Sequence, residues 1–379
     1  MHLKPLERQK CSNVIRDWGK NIKKIKRKGG AMKPFYHFDT DETRQSLLSR
    51  ARNVALWAIK QYEIEWNCIR FIQLSDTITY KIETVTKESY LLRIHSERVN
   101  KEEILSELVF LNELGKLNDL KVPQGIRSRS GSYILECETD EGYRKPYVSL
   151  MKWVEGEHWS GEFTDNHVNS MGVMMGKLHE ASASFEIPSD FVRPHWGSDS
   201  FRKEVSKLER YYPRFLSDES WKLYQEAIDK IIRQFDSMKR DTRNYGLIHA
   251  DLHSGNVVFN NGIPNPIDFG RCGYGYYLYD MSASLLELYP RHRWLLIQGY
   301  ESVIKLNKDY VRDLECFFIM FMIGNYCHHS SDPREIPSLI NEQKYALAYI
   351  KAYINDRPFL FEVIEPVDFE SNLEEGLNT

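Results

Sequence analysis

Cysteine is scarce in this 379-residue chain and scattered where it occurs. The six thiols, at positions 11, 68, 137, 272, 316 and 327, form no Cys-x-x-Cys pair. That spacing argues against a zinc ribbon and against a disulfide framework, and it suits reduced thiols in a cytoplasmic protein. Long apolar runs are missing too. The densest, Cys316 to Ile323, falls far short of the roughly 20 residues that cross a bilayer, and reads instead as the buried side of a helix. The N-terminus has positive charges but no continuous apolar stretch behind them, so it lacks the pattern of a secretory signal. No internal repeat and no low-complexity segment interrupts the chain. What is present is ordinary for a globular protein: 42% apolar and 28% charged residues, with aromatics at 13% to fill a large core. The length suits two domains or a two-lobed enzyme.

Charge is unevenly placed. Residues 1–31 hold ten Lys/Arg against Glu7 and Asp17, a net of +8, which leaves −11 for the remainder of a chain whose total is −3. A basic arm of this kind serves nucleic acid or membrane surfaces. The alternative is translated leader ahead of a start at Met32, because codons for the preceding Lys28-Gly29-Gly30 can resemble a bacterial ribosome-binding site. No nucleic-acid partner is expected on the bland reading.

Patterning divides the chain further. Thr40 and Asp41 offer caps to a helix running to about Tyr62, with Leu47, Leu48, Ala51, Val54, Ala55 and Ala58 along one face. Short runs rich in β-branched and aromatic residues follow at 69–74, 79–85 and 89–95, separated by polar turns, as in an antiparallel meander. Helical spacing returns over 101–116, and strand candidates lie at 132–136 and 146–154. After Gly156 helices dominate, at 166–183, 199–211 and 217–238. A block of short strands and turns occupies 246–270, and helices resume beyond Asp280 to about 354. The expected organisation is a basic extension (1–31), a helical segment (32–64), a small β-rich lobe (65–153), a larger helical lobe (154–356) and an acidic tail (357–379).

Chemistry concentrates in Gly246–Asp280. His249-Ala-Asp251-Leu-His253-Ser-Gly-Asn256 sets Asp and Asn five positions apart, and Ile267-Asp268-Phe-Gly follows twelve residues later. Phosphoryl transfer needs such a set: one carboxylate to orient the attacking hydroxyl and accept its proton, and an amide oxygen with a second carboxylate to hold magnesium. Magnesium takes few hard oxygen ligands from protein and keeps the rest of its shell for phosphate and water. A metal hydrolase is the other use of His-x-Asp-x-His, but it needs a further His or Asp cluster, and only His328-His329 offers one.

These residues resemble the signature of the aminoglycoside-phosphotransferase family of kinase-like small-molecule kinases, H-x-D-x-x-x-x-N followed by I-D-F-G. The resemblance extends over roughly 65 to 350 and implies a bilobal α+β protein-kinase-like fold, with an antiparallel β-rich N-lobe carrying one main helix and a mostly helical C-lobe. It implies Asp251 as the catalytic base, Asn256 and Asp268 as magnesium ligands, and ATP as donor. His249 and His253 read as structural, and Asp280 as the aspartate that opens a helix and braces the catalytic loop. In the N-lobe it implies a phosphate-binding cation on the third strand, Arg93, paired with Glu107 or with Glu103 on the same helix face. The loop between the first two strands, Ser75-Asp76-Thr77, has no glycine; Ser75 and Thr77 are its candidates for phosphate. Met151 to Trp153 stand where the family's hinge meets adenine.

The expected activity is transfer of the γ-phosphoryl group of ATP to a hydroxyl of a small molecule, with the acidic body favouring a cationic acceptor. Two alternatives stay open at this point: a protein Ser/Thr kinase of the stress-response type, and an inactive nucleotide-binding scaffold. Oligomeric state is not legible.

Overall fold

The computed structural model describes residues 32–369 apart from 38, 39, 118, 140 and 141. The basic segment 1–31 and the last ten residues of the acidic tail lie outside the described residues. Backbone contacts divide the chain into two compact units. One comprises the chain up to Lys101 together with Gly125–Trp153; the other comprises Glu102–Gln124 and everything from Val154 onward.

The first unit begins with α1 (Asp41–Ile59), whose N-cap Thr40 accepts from the Thr43 amide and so satisfies one of the helix's open donors. The helix stops short of the expected Tyr62. The amides of Gln61 and Tyr62 bond three residues back, to Ala58 and Ile59, and tighten the last turn. Five strands follow, β1 (Trp66–Leu74), β2 (Thr77–Thr84), β3 (Ser89–His95), β4 (Ile134–Glu136) and β5 (Tyr147–Lys152), in the spatial order β1-β2-β3-β5-β4 with every pairing antiparallel. Leu47, Ala51, Val54 and Ala55 of α1 and Ile78, Ile82, Leu92 and Leu150 of the sheet share one buried cluster. Phe35 joins that cluster from ahead of the helix, where the Glu97 carboxylate accepts from its amide.

The second unit takes α2 (Lys101–Leu114) from Glu102 onward and the helices α3 (Asp165–Ala183), α4 (Ser198–Tyr211) and α5 (Asp218–Ser237). Then come β6 (Tyr245–Ile248), the hairpin β7 (Val257–Asn260) and β8 (Ile263–Pro266), and β9 (Gly273–Tyr276), which pairs with β6. Asn261 and Gly262 both take positive φ at the hairpin tip, the conformation an Asn-Gly turn supplies. Helices α6 (Tyr277–Leu285), α7 (Pro290–Glu301), α8 (Tyr310–His329) and α9 (Ile336–Ile354) complete the unit. The run Cys316 to Ile323 lies inside α8 and is buried on all sides, more than the one face expected. Arg293, almost fully buried, donates to the carbonyls of Leu285, Leu288 and Leu360, tying the end of α6 and the C-terminal segment to α7. Among the described residues no helix is long and apolar enough to cross a membrane.

Candidate active site

In the second unit the loop after β6 and the turn after β8 are bonded into one structure. His249 is fully buried; its Nε2 lies 2.8 Å from the Ile267 carbonyl, and since a carbonyl only accepts, Nε2 carries the proton. Its ring also rests on Phe269 at 4.4 Å. The imidazole therefore joins the start of the Asp251 loop to the residue before Asp268. A second tie runs from the Ile267 amide to the Asn256 carbonyl, 2.9 Å.

Asp280, in the first turn of α6 and without solvent exposure, braces the same loop from behind. Its Oδ2 accepts from the His249 amide at 2.7 Å and its Oδ1 from the Ala250 amide at 2.6 Å. Ala250 has φ +64, a costly setting for a residue with a Cβ, and that setting turns its N–H onto the carboxylate. His179 of α3 lies 3.0 Å from Oδ2 through Nε2, and its Nδ1 lies 3.0 Å from the Tyr300 hydroxyl. Burial, with Tyr277 and Asp280 adding to it, pushes the Tyr300 phenol far up, so it keeps its proton. The pattern assigns Tyr300 O–H as donor to Nδ1 and the Nε2 proton as donor to Asp280. The Ser284 hydroxyl donates to the Leu252 carbonyl, and the Glu287 carboxylate accepts from the Ser254 amide.

Within this frame Asn256 turns its amide nitrogen to Asp251, 2.9 Å from the main-chain oxygen and 3.3 Å from Oδ2. The nitrogen is thereby committed, and the side-chain oxygen Oδ1 of Asn256 is turned the other way. Asp268 is half-buried and left-handed, φ 60 and ψ 63, a region Asp tolerates better than most side chains. His253 directs Nδ1 to the Gly255 amide, 3.1 Å, and caps the short turn that leads to Asn256. Nearby, Tyr279 has its phenol pushed up to about 12 by burial; Arg271 opposes the shift, and the negative charges of Asp251 and Asp280 add to it. Among the described residues no group of three or more His, Cys, Asp or Glu stands where it could hold a metal ion. The hydrolase reading of His249-Ala-Asp251-Leu-His253 therefore loses its ligand cluster, one imidazole facing a carbonyl and the other an amide.

The remaining expected residues belong to other elements of the two units. Glu107 is buried in α2 of the second unit. Arg93 belongs to the first unit, almost fully buried in β3 opposite Thr79 on one side and Ser149 on the other. Ser75 and Thr77 flank Asp76 in the β1–β2 turn, Ser75 exposed and Thr77 buried, with the Ser75 amide donating to the Thr77 carbonyl. The Tyr36 hydroxyl donates to the Ser75 carbonyl at 2.5 Å, and Arg98 pairs with Asp76 at 3.2 Å. Met151 is buried opposite Leu91, and the Trp153 amide bonds the Ser89 carbonyl while its ring carries Lys81 at 4.5 Å. Sequence reasoning missed His179, Tyr300 and Arg193. Each sits in a stretch whose pattern says only that it is helical or connecting.

The profile of the phosphotransferase enzyme family matches residues 71–303. The chain is 24% identical over 280 residues to the amicoumacin kinase of Bacillus subtilis (strain 168), covering 73% of this chain and 76% of that one. Two solved structures are similar in fold. The amicoumacin kinase hAmiN, in complex with AMP-PNP, Ca2+ and Ami, has a TM-score of 0.69 at 18% identity, over 85% of this chain and 98% of that one. A microcompartment-associated aminopropanol kinase reaches 0.71 at 22% identity, over 82% and 99%. The expected kinase-like α+β fold is thus borne out.

Proposed function

The chain belongs to the phosphotransferase enzyme family, and we propose that it moves the γ-phosphoryl group of ATP to a hydroxyl of a small molecule positioned by Asp251. It is an enzyme of small-molecule phosphotransfer; the donor's identity and the residue roles are our reading. The observation that carries the reading is the bonded frame around Asp251, in which Asn256, His249 and Asp280 fix one short loop against the turn bearing Asp268.

Magnesium fits the donors of this frame. The oxygen of Asn256 and the carboxylate of Asp268 are few and hard, as that ion prefers, and the absence of a His or Cys cluster among the described residues argues against zinc. When bound, the ion neutralises charge on the phosphates. The chain's own residues do the rest. Asp251 accepts the hydrogen bond of the incoming hydroxyl and takes its proton as the new bond forms. The Asn256 nitrogen holds the Asp251 main chain and side chain in one orientation. Arg93 supplies fixed positive charge for the phosphates, with Glu107 as its acid partner, and the Ser75-Asp76-Thr77 turn supplies hydroxyl and amide donors in place of glycine. Met151 to Trp153 present main-chain groups to the adenine edge. Because the transition state is loose, positioning and electrostatics supply most of the catalysis.

The net charge of −11 beyond residue 31 favours a cationic acceptor such as an amino alcohol or an amino sugar, and a cytoplasmic setting suits the reduced thiols. The reading is tested by Mg·ATP consumption with pooled amino alcohols, aminoglycosides, sugars and nucleosides, followed by mass analysis of products. Consumption that depends on one pool and yields a product heavier by one phosphoryl group is the expected result. Phosphate incorporated only into protein, whatever pool is added, would replace it with the protein-kinase reading.

A further inference from the structure

We propose that Arg193 is a positioning residue that locks α2, the helix carrying Glu107, to the turn that follows Asp268, so that this part of the site stands assembled without an activating modification. The inference rests on the roles proposed for Glu107 and Asp268. Arg193 is only 4% exposed, and its fork reaches three main-chain oxygens. Nε donates to the Cys272 carbonyl at 2.6 Å, Nη2 to the Gly270 carbonyl at 2.7 Å and Nη1 to the Glu103 carbonyl at 2.9 Å. No carboxylate among the described residues pairs with it. Burying a guanidinium away from any counter-charge is unfavourable, so a chain that keeps one there has placed it for its geometry. Glu103 precedes Glu107 by one helical turn on the same face, while Gly270 and Cys272 lie two and four residues past Asp268. One planar group therefore joins the helix and the turn.

The chain around Arg193 repeats the connection. The Val192 amide donates to the Ser106 hydroxyl of α2 at 2.8 Å. On the other side the Pro194 carbonyl accepts from the Tyr274 amide, the Trp196 amide donates to the Tyr274 carbonyl, and the Trp196 indole donates to the Arg271 carbonyl. Phe110 of α2 meets Phe269 edge-on at 6.4 Å. Segment 192–196 is thus a strap with α2 on one flank and 270–274 on the other. In protein kinases the corresponding helix acid and metal aspartate are brought into place by phosphorylation or by movement of the helix. Here the helix bearing Glu107 and the turn after Asp268 are bonded through one side chain whose three acceptors are main-chain oxygens, so neither element can leave alone.

Arg193→Lys keeps the charge and loses the fork. We expect this variant to fold with an unchanged circular dichroism spectrum. Calorimetric titration with ADP should show that it needs about tenfold more Mg²⁺ for half-saturation, the scale set by sub-ångström misplacement of a site, while its affinity for metal-free ADP stays within about twofold. Turnover at saturating acceptor should fall and be partly restored by added Mg²⁺, a rescue that general loss of stability does not show. A folded Arg193→Lys protein with wild-type Mg²⁺ dependence would overturn the proposal. Should that variant not fold, hydrogen exchange on the wild-type protein decides: amides of 103–107 and 270–274 are expected to open in one cooperative step, and independent opening would refute the lock. A shifted Mg²⁺ requirement in a protein that phosphorylates no acceptor would leave the lock standing and remove the proposed function instead.

Discussion

A carboxylate with no solvent exposure persists only where donors surround it, and two amides and an imidazole surround Asp280. Replacing it by Asn keeps the shape but turns an NH2 group toward an existing donor. The buried amides of His249 and Ala250 then compete for one oxygen. We expect Asp280→Asn to cost about 2–4 kcal/mol in urea unfolding, the range for breaking a buried charged network. Turnover measured well below the transition should still fall, because the variant releases the loop that carries Asp251. Wild-type turnover in the folded variant would separate Asp280 from the proposed role of the Asp251 loop. Tyr300→Phe removes only the distal bond to His179 and should cost about 1 kcal/mol. Asp280 was legible because it stands at a fixed remove from Asp268 in a motif. His179 was not. Its partner lies 101 residues away, and nothing local in Lys-Leu-His-Glu distinguishes a buried bracing imidazole from a surface one. Arg193 escaped for the same reason, since its acceptors are main-chain oxygens that carry no mark in a sequence.

At the scale of elements, patterning located the meander and most helices, while their ends followed contacts that patterning does not express. β1 begins at Trp66, three residues before the expected start, and its ladder with β2 carries a register shift between Trp66 and Cys68 that breaks the strict alternation the sequence signal depends on. Helices α3 and α7 show another limit. A Cβ on Gly172 of α3 would lie 1.9 Å from the Leu296 carbonyl of α7, and one on Gly299 of α7 would lie 2.0 Å from the Asn169 carbonyl of α3. Each glycine admits the other helix's backbone, a reciprocity invisible in either segment alone. In both cases the obstruction is main chain and cannot rotate away. We expect Gly172→Ala or Gly299→Ala to destabilise by about 3 kcal/mol, the upper end for overpacking, although alanine favours an isolated helix. Chemical denaturation of either variant at wild-type stability would show that the helices can move apart freely.

For the molecule as a whole, the sequence marked the proposed site most clearly where several residue types recur at fixed spacing, and least where one residue is proposed to act alone. Asp251, Asn256 and Asp268 belong to the first kind; Ser75 and Thr77, in a glycine-free turn held by Tyr36 and Arg98, belong to the second. The basic segment 1–31 lies outside the described residues, whereas Phe35 is buried in a core and bonded to Glu97. A chain begun at Met32 keeps Phe35 and its core, and should bind Mg·ATP and turn over within about twofold of the full chain, as expected when no described core residue is removed. A larger loss in a direct comparison of the two proteins would give the basic segment a part in the reaction.

The proposed mechanism turns on one carboxylate, Asp251, which positions and deprotonates a small-molecule hydroxyl. Its most direct test is the steady-state turnover of Asp251→Asn against wild type on the best acceptor, with the phosphate ester followed by phosphorus NMR. We predict a loss of about 10²–10⁴-fold with the fold and the affinity for Mg·ADP intact, the scale for removing a positioned general base. Near-normal ester formation by the variant would contradict the assignment and with it the mechanism built on that loop.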